Sequence, residues 1–223
     1  RVVRLIPRCL AVSASFQFVA DSLGDDWAVV APDWRGYGLT SRGGGDSYWF
    51  PDYLADLDRI LDHTSAGPAL LVGHSMGGNV ALLYAGIRPE RVRAVINLEG
   101  FGLRETYAAQ APGRFAQWLD ELRSGATLRD YADAGEVAAR LVRNNRRLRP
   151  ERAAFLAQHW ARPRADGRWE VAGDPAHKVV NPTLYRALNL GGGSVRIGEV
   201  DYEGKGAKKV SVNGSPIELK LEL

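Results

Sequence analysis

Gly73-His74-Ser75-Met76-Gly77-Gly78 sets a serine between two glycines at Gly-x-Ser-x-Gly spacing, after an apolar run at 69–72 and before a helix-like segment at 79–86. In that context the pattern is a nucleophile elbow, a sharp strand-to-helix turn that lifts the hydroxyl clear of a sheet. The small residues answer a steric need. So tight a turn drives the serine backbone toward an unfavourable conformation and brings neighbouring segments too close for side chains. Nucleophilic chemistry at a serine also needs a histidine to take the proton, a carboxylate to orient that histidine, and N–H groups for the oxyanion. The backbone N–H of Met76 is one such donor, because it opens the following helix, where unpaired N–H groups and the positive end of the helix dipole face the site. The plainer reading of the stretch is a glycine-rich turn with an incidental serine.

Four histidines are available, His63, His74, His159 and His177, with a single cysteine, Cys9. One thiol excludes an intrachain disulfide, and histidines so dispersed have no zinc-ligand spacing, so neither a metal nor a cofactor is expected. His63 and His74 read as structural or solvent-facing. The net charge of +3 would suit an anionic partner, and Arg140, Arg143, Arg146, Arg147, Arg149 and Arg152 crowd one region. No aromatic residues interleave with them as a stacking platform for bases requires, so a solvated helix face is expected and no nucleic acid. No apolar run approaches the roughly 18 residues that span a bilayer, which argues against a membrane segment. The opening Arg1-Val2-Val3-Arg4-Leu5-Ile6 has too short an apolar part for a secretory signal, leaving the cytoplasm as the default expectation. Oligomeric state has no signature in the sequence.

The elements that must position Ser75 follow from periodicity. Apolar runs at 2–6, 27–31, 69–72 and 92–98 read as strands. Between them lie three helical patterns. The first, with Ser15 as its cap, puts Phe16, Val19, Ala20 and Leu23 on one face and stops at Gly24. The second opens at Pro51 with Leu54, Leu57, Ile60 and Leu61 inward, and the third carries Val80, Leu83, Tyr84 and Ile87. Alternating strands and helices imply an α/β fold with a parallel sheet covered on both faces. Its ligands are expected at the carboxyl ends of the strands, where Pro7, Pro32, Ser75 and Glu99 fall. From Phe101 the strand pattern gives way to helices: Phe115, Trp118, Leu119 and Leu122 mark one face, Asp133 and Glu136 form a capping box, and Pro150 starts a helix with Ala153, Leu156, Ala157 and Trp160 inward. Asp166-Gly167 reads as a hairpin turn and Asn181-Pro182 as a further turn. After Gly191-Gly192-Gly193, stretches at 194–200, 207–212 and 217–223 alternate as an antiparallel β-meander.

Together with Asp33-Trp34-Arg35-Gly36-Tyr37-Gly38-Leu39-Thr40 and Arg88-Pro89-Glu90-Arg91-Val92, the elbow resembles the α/β-hydrolase superfamily in its cap-bearing serine hydrolase branch, over about residues 12–186. The resemblance implies a partial α/β-hydrolase-like parallel sheet with a helical cap insertion, followed by the C-terminal meander. On that division residues 1–100 are the core, 101–190 the cap or lid, and 191–223 the tail. It also implies Ser75 as the nucleophile, Met76 as an oxyanion donor, and a small-molecule acyl substrate. Serine at the elbow argues against dehalogenase and epoxide-hydrolase members, which have aspartate there. Phe101, Tyr107, Trp118 and Trp160 either make an apolar pocket under the lid or pack within it.

Both ends depart from the family pattern. The His-Gly-aromatic loop expected after the first strand is replaced by Pro7-Arg8-Cys9, which leaves the N–H of Cys9 as the candidate second oxyanion donor. No histidine occurs after His177, where the family's base would follow. Ser75, Glu99 and His177 form the set in the usual order of nucleophile, acid and base, with Glu99 at the end of the fourth strand, where some members carry the acid. Asp33 and Arg35 read as residues that fix their loop. Two functions follow: a serine hydrolase acting on an ester or related acyl compound through an acyl-enzyme on Ser75, or a catalytically crippled, truncated or fused protein of the same fold without the triad histidine and acid.

Overall fold

Four strands form the sheet: β1 (Val2–Ile6), β2 (Ala28–Val30), β3 (Ala69–His74) and β4 (Val92–Leu98), in the order β2-β1-β3-β4. The structure is a computed structural model, and it describes residues 1–9, 11–102 and 106–184 together with the backbone of 209–212 and 215–218. All pairings within this sheet are parallel, with Gly73 of β3 opposite Ile6 on one side and Asn97 on the other. Parallel neighbours require crossovers, and the helices supply them. They are α1 (Gln17–Ala20), α2 (Phe50–Thr64) and α3 (Met76–Ile87).

Alternation along the strands divides the core. Ile6, Ala69 and Leu71 face α2 and α3, packing with Phe50, Tyr53, Leu57, Leu61, Val80, Ala81 and Tyr84. Val3 and Leu5 point the other way, onto Phe16, with Leu70 and Val72 beside them. In α2 the fully buried stripe is Phe50, Tyr53, Leu57 and Leu61, one helical face opened by Pro51 in the first turn. The expected cap at Ser15 is not formed. The first helix starts one turn earlier as a 3-10 segment, Ser13–Phe16, and Ser15 Oγ instead accepts a hydrogen bond from Trp160 Nε1 at 2.9 Å. A distant indole competes for the hydroxyl, which spacing alone cannot reveal.

Residues 106–184 have their own apolar cluster. Helices α4 (Ala111–Ser124), α5 (Ala134–Asn144) and α6 (Pro150–Trp160) are accompanied by β5 (Asp130–Tyr131), β6 (Ala161–Pro163) and β7 (Trp169–Val171), an antiparallel sheet ordered β5-β7-β6. Tyr131, Val137, Leu141, Ala153, Leu156, Ala157 and Ala161 form the cluster. Asp133 caps α5 by accepting from Glu136 N at 2.8 Å, while the Glu136 carboxylate reaches one residue further back than a capping box does, to Ala132 N at 2.7 Å. Asp166-Gly167 turns the β6–β7 hairpin, with Gly167 at φ 81°. The two-residue β5 was too short to carry a periodic signal.

The helix expected around Phe115 is present, but its apolar face is not buried. No residue of α4 is fully covered, and Phe115 and Leu119 remain 48% and 46% exposed. Arg143, Arg146, Arg147, Arg149 and Arg152 are exposed along the end of α5 and the start of α6, a solvated face. Residues 1–188 form one compact unit and 189–223 a second. In the second, β8 (Lys209–Val212) and β9 (Ser215–Glu218) make an antiparallel hairpin. The last expected strand thus begins two residues before residue 217, and the expected stretch at 194–200 lies outside the described residues. Among the described residues no helix is long and apolar enough to cross a membrane.

Candidate active site

Ser75 stands between the end of β3 and the first turn of α3 with φ 51° and ψ −114°, a conformation L-residues seldom adopt. Its N–H donates to Leu98 O at 2.6 Å, and its carbonyl accepts from Asn79 N at 3.0 Å. The glycines are required by contact. A Cβ at Gly73 would lie 2.6 Å from Gly77 C and 2.7 Å from Gly78 Cα, and one at Gly77 would lie 2.5 Å from Pro7 O. The carboxyl end of β1 and the amino end of α3 therefore touch through bare backbone. Met76 is the first residue of α3, so its N–H has no acceptor within the helix. Among the described residues Ser75 Oγ has no hydrogen-bond partner, and the side chain is half-buried at the strand ends.

The structure does not bring the set Ser75, Glu99 and His177 together. Glu99 also adopts a left-handed conformation, at φ 59°, and its Oε2 lies 3.5 Å from Nε2 of His74. His177, on a 3-10 turn at Pro175–Lys178, is gripped elsewhere. Its ring is stacked between Tyr37, with centroids 3.8 Å apart, and Tyr48, at 3.5 Å. Nε2 lies 3.1 Å from Arg35 O and Nδ1 3.2 Å from Tyr53 Oη. Because a carbonyl only accepts, the proton belongs on Nε2, and Tyr53 donates to Nδ1. Burial pushes the His177 pKa down to about 4, and burial likewise pushes that of Tyr53 well up. A neutral imidazole with both nitrogens engaged cannot take a proton from Ser75.

Cys9 lies beyond the end of β1, its Sγ 3.3 Å from Tyr37 Oη. The Arg8 side chain is exposed and turns over the Trp160 ring at 5.8 Å, so it leaves the elbow unobstructed. Asp33 and Arg35 do fix their loop. Asp33 accepts from Ser13 N at 2.6 Å and Leu39 N at 2.9 Å, while Arg35 holds Asp56 at 2.7 Å and Asp52 at 3.3 Å. The hydrogen bond to Asp56 raises the Arg35 pKa above its usual value.

The tyrosine slot around His177 escaped the sequence reading, because Tyr37, Tyr48 and Tyr53 come from a loop and a helix without shared spacing. Asn97 escaped it too, standing inside an apolar strand with only its polarity as a signal. One cavity of about 220 Å³ lies between Gly45, Asp46, the end of α4 and Pro175; another of about 210 Å³ lies between Ser65, Pro68 and Glu90. Neither is lined by Ser75. Among the described residues no three His, Cys, Asp or Glu side chains gather as metal ligands would.

Comparison with known proteins agrees with this architecture. The alpha/beta hydrolase fold family matches residues 6–187. A serine hydrolase-like protein of Danio rerio is 39% identical over 95 residues, 42% of this chain and 29% of the relative. A 2-hydroxy-6-oxo-2,4-heptadienoate hydrolase of Pseudomonas putida is 34% identical over 90 residues, 40% of this chain and 33% of the relative. The chain thus spans about a third of the length of these curated relatives. Among solved structures, the thioesterase domain from the curacin biosynthetic pathway superposes with a TM-score of 0.71 at 30% identity, covering 78% of this chain and 62% of that one. The hypothetical protein PA1622 of Pseudomonas aeruginosa gives 0.74 at 26%, covering 85% and 66%. With its parallel sheet, its strained serine turn and a family match over most of its length, the chain belongs to the α/β-hydrolase fold family.

Proposed function

We propose that the chain carries the nucleophile of a serine hydrolase, which attacks an ester or related acyl compound through Ser75. The observation that carries this reading is the backbone of Ser75 at φ 51° and ψ −114°, directly before the free N–H groups of α3. Attack of Oγ on the carbonyl carbon, its hydroxyl proton passing to water, makes a tetrahedral oxyanion next to the Met76 N–H; its collapse breaks the bond to the leaving group, which takes a proton from water and departs as the alcohol or thiol, and the acyl group left on Ser75 is then released by hydrolysis. Residues 101–190 act as the cap that shapes the acyl pocket. Since one structural neighbour at 30% identity is a thioesterase domain, a thioester is the first substrate class to offer.

A second reading is favoured by the occupation of His177 and the pairing of Glu99 with His74: an elbow without a base of its own. Loss of triad members leaves only about a thousandfold to ten-thousandfold acceleration over water. A fluorophosphonate probe separates the two. Prompt labelling of the folded chain that vanishes in Ser75→Ala supports a working nucleophile, whereas no labelling of either protein establishes the second reading.

A further inference from the structure

Ser75 and Glu99 are the two non-glycine residues with positive φ among those described, and they lie at the ends of adjacent strands. Between them sits Asn97, the β4 partner of Gly73. Its Nδ2 donates to Gly100 O at 2.6 Å and its Oδ1 accepts from Gly100 N at 3.0 Å, so one side chain closes the turn that follows β4. Closing four residues into so short a ring forces Glu99 into the left-handed region. The same amide lies against α3: a Cβ at Gly78 would come within 3.2 Å of Asn97 Cγ, and one at Gly100 within 2.9 Å of Asn79 N and Gly78 C. In the first turn of α3, Asn79 Oδ1 accepts from Gly102 N at 2.8 Å. The turn at 97–102 is bolted to the first turn of α3 by two asparagines, with the Ser75 N–H bonded to Leu98 O inside the bolted segment.

We propose that Asn97 is a positioning residue for Ser75: by closing the Glu99 turn and wedging it against Gly78, it holds Leu98 O where it fixes the strained serine backbone. A strained conformation persists only where its surroundings over-determine it, and this clamp is the part of the surroundings that a single side chain controls. The role needs both a donor and an acceptor on one short planar group. Aspartate keeps the shape and the acceptor but loses the donor, and sets a carboxylate against the Gly100 carbonyl.

This inference rests on the reading of Ser75 as nucleophile, and the test keeps the two apart. Fluorophosphonate labelling of Ser75 is followed across pH in the full chain, in Asn97→Asp, in Asn97→Ala, and in Leu61→Ala, which weakens the core at the last turn of α2. Hydrogen exchange at the Ser75 amide is measured in the same proteins. Both Asn97 variants are expected to label about tenfold slower near neutral pH, while Leu61→Ala labels at the wild-type rate. As the pH falls toward about 4, the Asn97→Asp deficit relative to wild type narrows, because a protonated carboxyl again donates to Gly100 O; the Asn97→Ala deficit does not. Wild-type labelling rates in both Asn97 variants, or a deficit in Leu61→Ala as large as theirs, would overturn the proposal. If the wild type itself does not label, the hydrolase reading fails, and the clamp is decided by exchange: about tenfold faster exchange at Ser75 in both Asn97 variants upholds it, and unchanged exchange rejects it.

Discussion

Ser75 is fixed by backbone and His177 by side chains, and the two arrangements leave opposite chemistry behind. At the elbow, main chain meets main chain: Gly73 against Gly77, Gly77 against Pro7, and Ser75 N–H on Leu98 O. The strain falls on the peptide unit, and the hydroxyl has no partner among the described residues. At His177 the backbone is unremarkable and the ring is saturated, with aromatic faces on both sides and a hydrogen bond at each nitrogen. A side chain left unpaired by a rigid frame is available to a substrate. One with every valence occupied serves packing, whatever its residue type.

The sharpest way to break this comparison is to add a methyl group where backbone meets backbone. Gly77→Ala places a Cβ 2.5 Å from Pro7 O, and it is expected to cost about 3 kcal/mol or more, read as a fall in the urea midpoint. Gly113→Ala, in α4 where a Cβ meets nothing within 4 Å, is expected to be neutral or to stabilise by up to about 1 kcal/mol. Similar effects for the two variants would show that the elbow is not close-packed.

The slot gives the next largest effect. The His177 pKa of about 4 lies below the ordinary 6.5, so the unfolded chain binds the proton more tightly than the folded one. The contribution is complete above about pH 6.5 and is lost as the pH falls toward 4. Discounted for the ring's partial exposure, it is on the order of 1–2 kcal/mol. Urea midpoints measured through that window should fall in the wild type and lose much of that slope in His177→Gln. Ser75 labelling in His177→Gln should stay within about twofold of wild type. A large loss of labelling would restore His177 as the base and erase the distinction drawn between the two regions.

The smallest effect concerns the second strained turn. Glu99→Gly removes a left-handed penalty of about 1–2 kcal/mol at an added chain-entropy cost of about 0.5–1 kcal/mol. The lost contact with His74 matters little, because Glu99 is 61% exposed. A net gain of about 0.5 kcal/mol in denaturant unfolding is the expected outcome. A clear loss would mean that the His74–Glu99 pair holds the turn more firmly than its exposure implies.

Much of this was legible in the residue order. Gly73 to Gly78 announced the turn, the apolar runs announced β1 to β4, and Pro51 announced α2, because each depends on neighbours within a few positions. Asp33 and Arg35 could be assigned to loop fixing from the glycine-rich loop around them, although Ser13, Asp52 and Asp56, 17 to 21 positions away, complete it. What could not be read is what depends on meetings between distant segments. Ser15 looked like a cap until Trp160, 145 residues away, claimed its hydroxyl. His177 looked like a base until Tyr37, Tyr48, Tyr53 and the Arg35 carbonyl closed around it.

The sequence by itself determined that a serine would stand in a strained turn at the end of a parallel strand, since local sterics and strand-helix alternation suffice for that. Only the tertiary structure decided which groups are free to react beside it. A proton acceptor is defined by what occupies its lone pairs, and those occupants are brought by folding from every part of the chain.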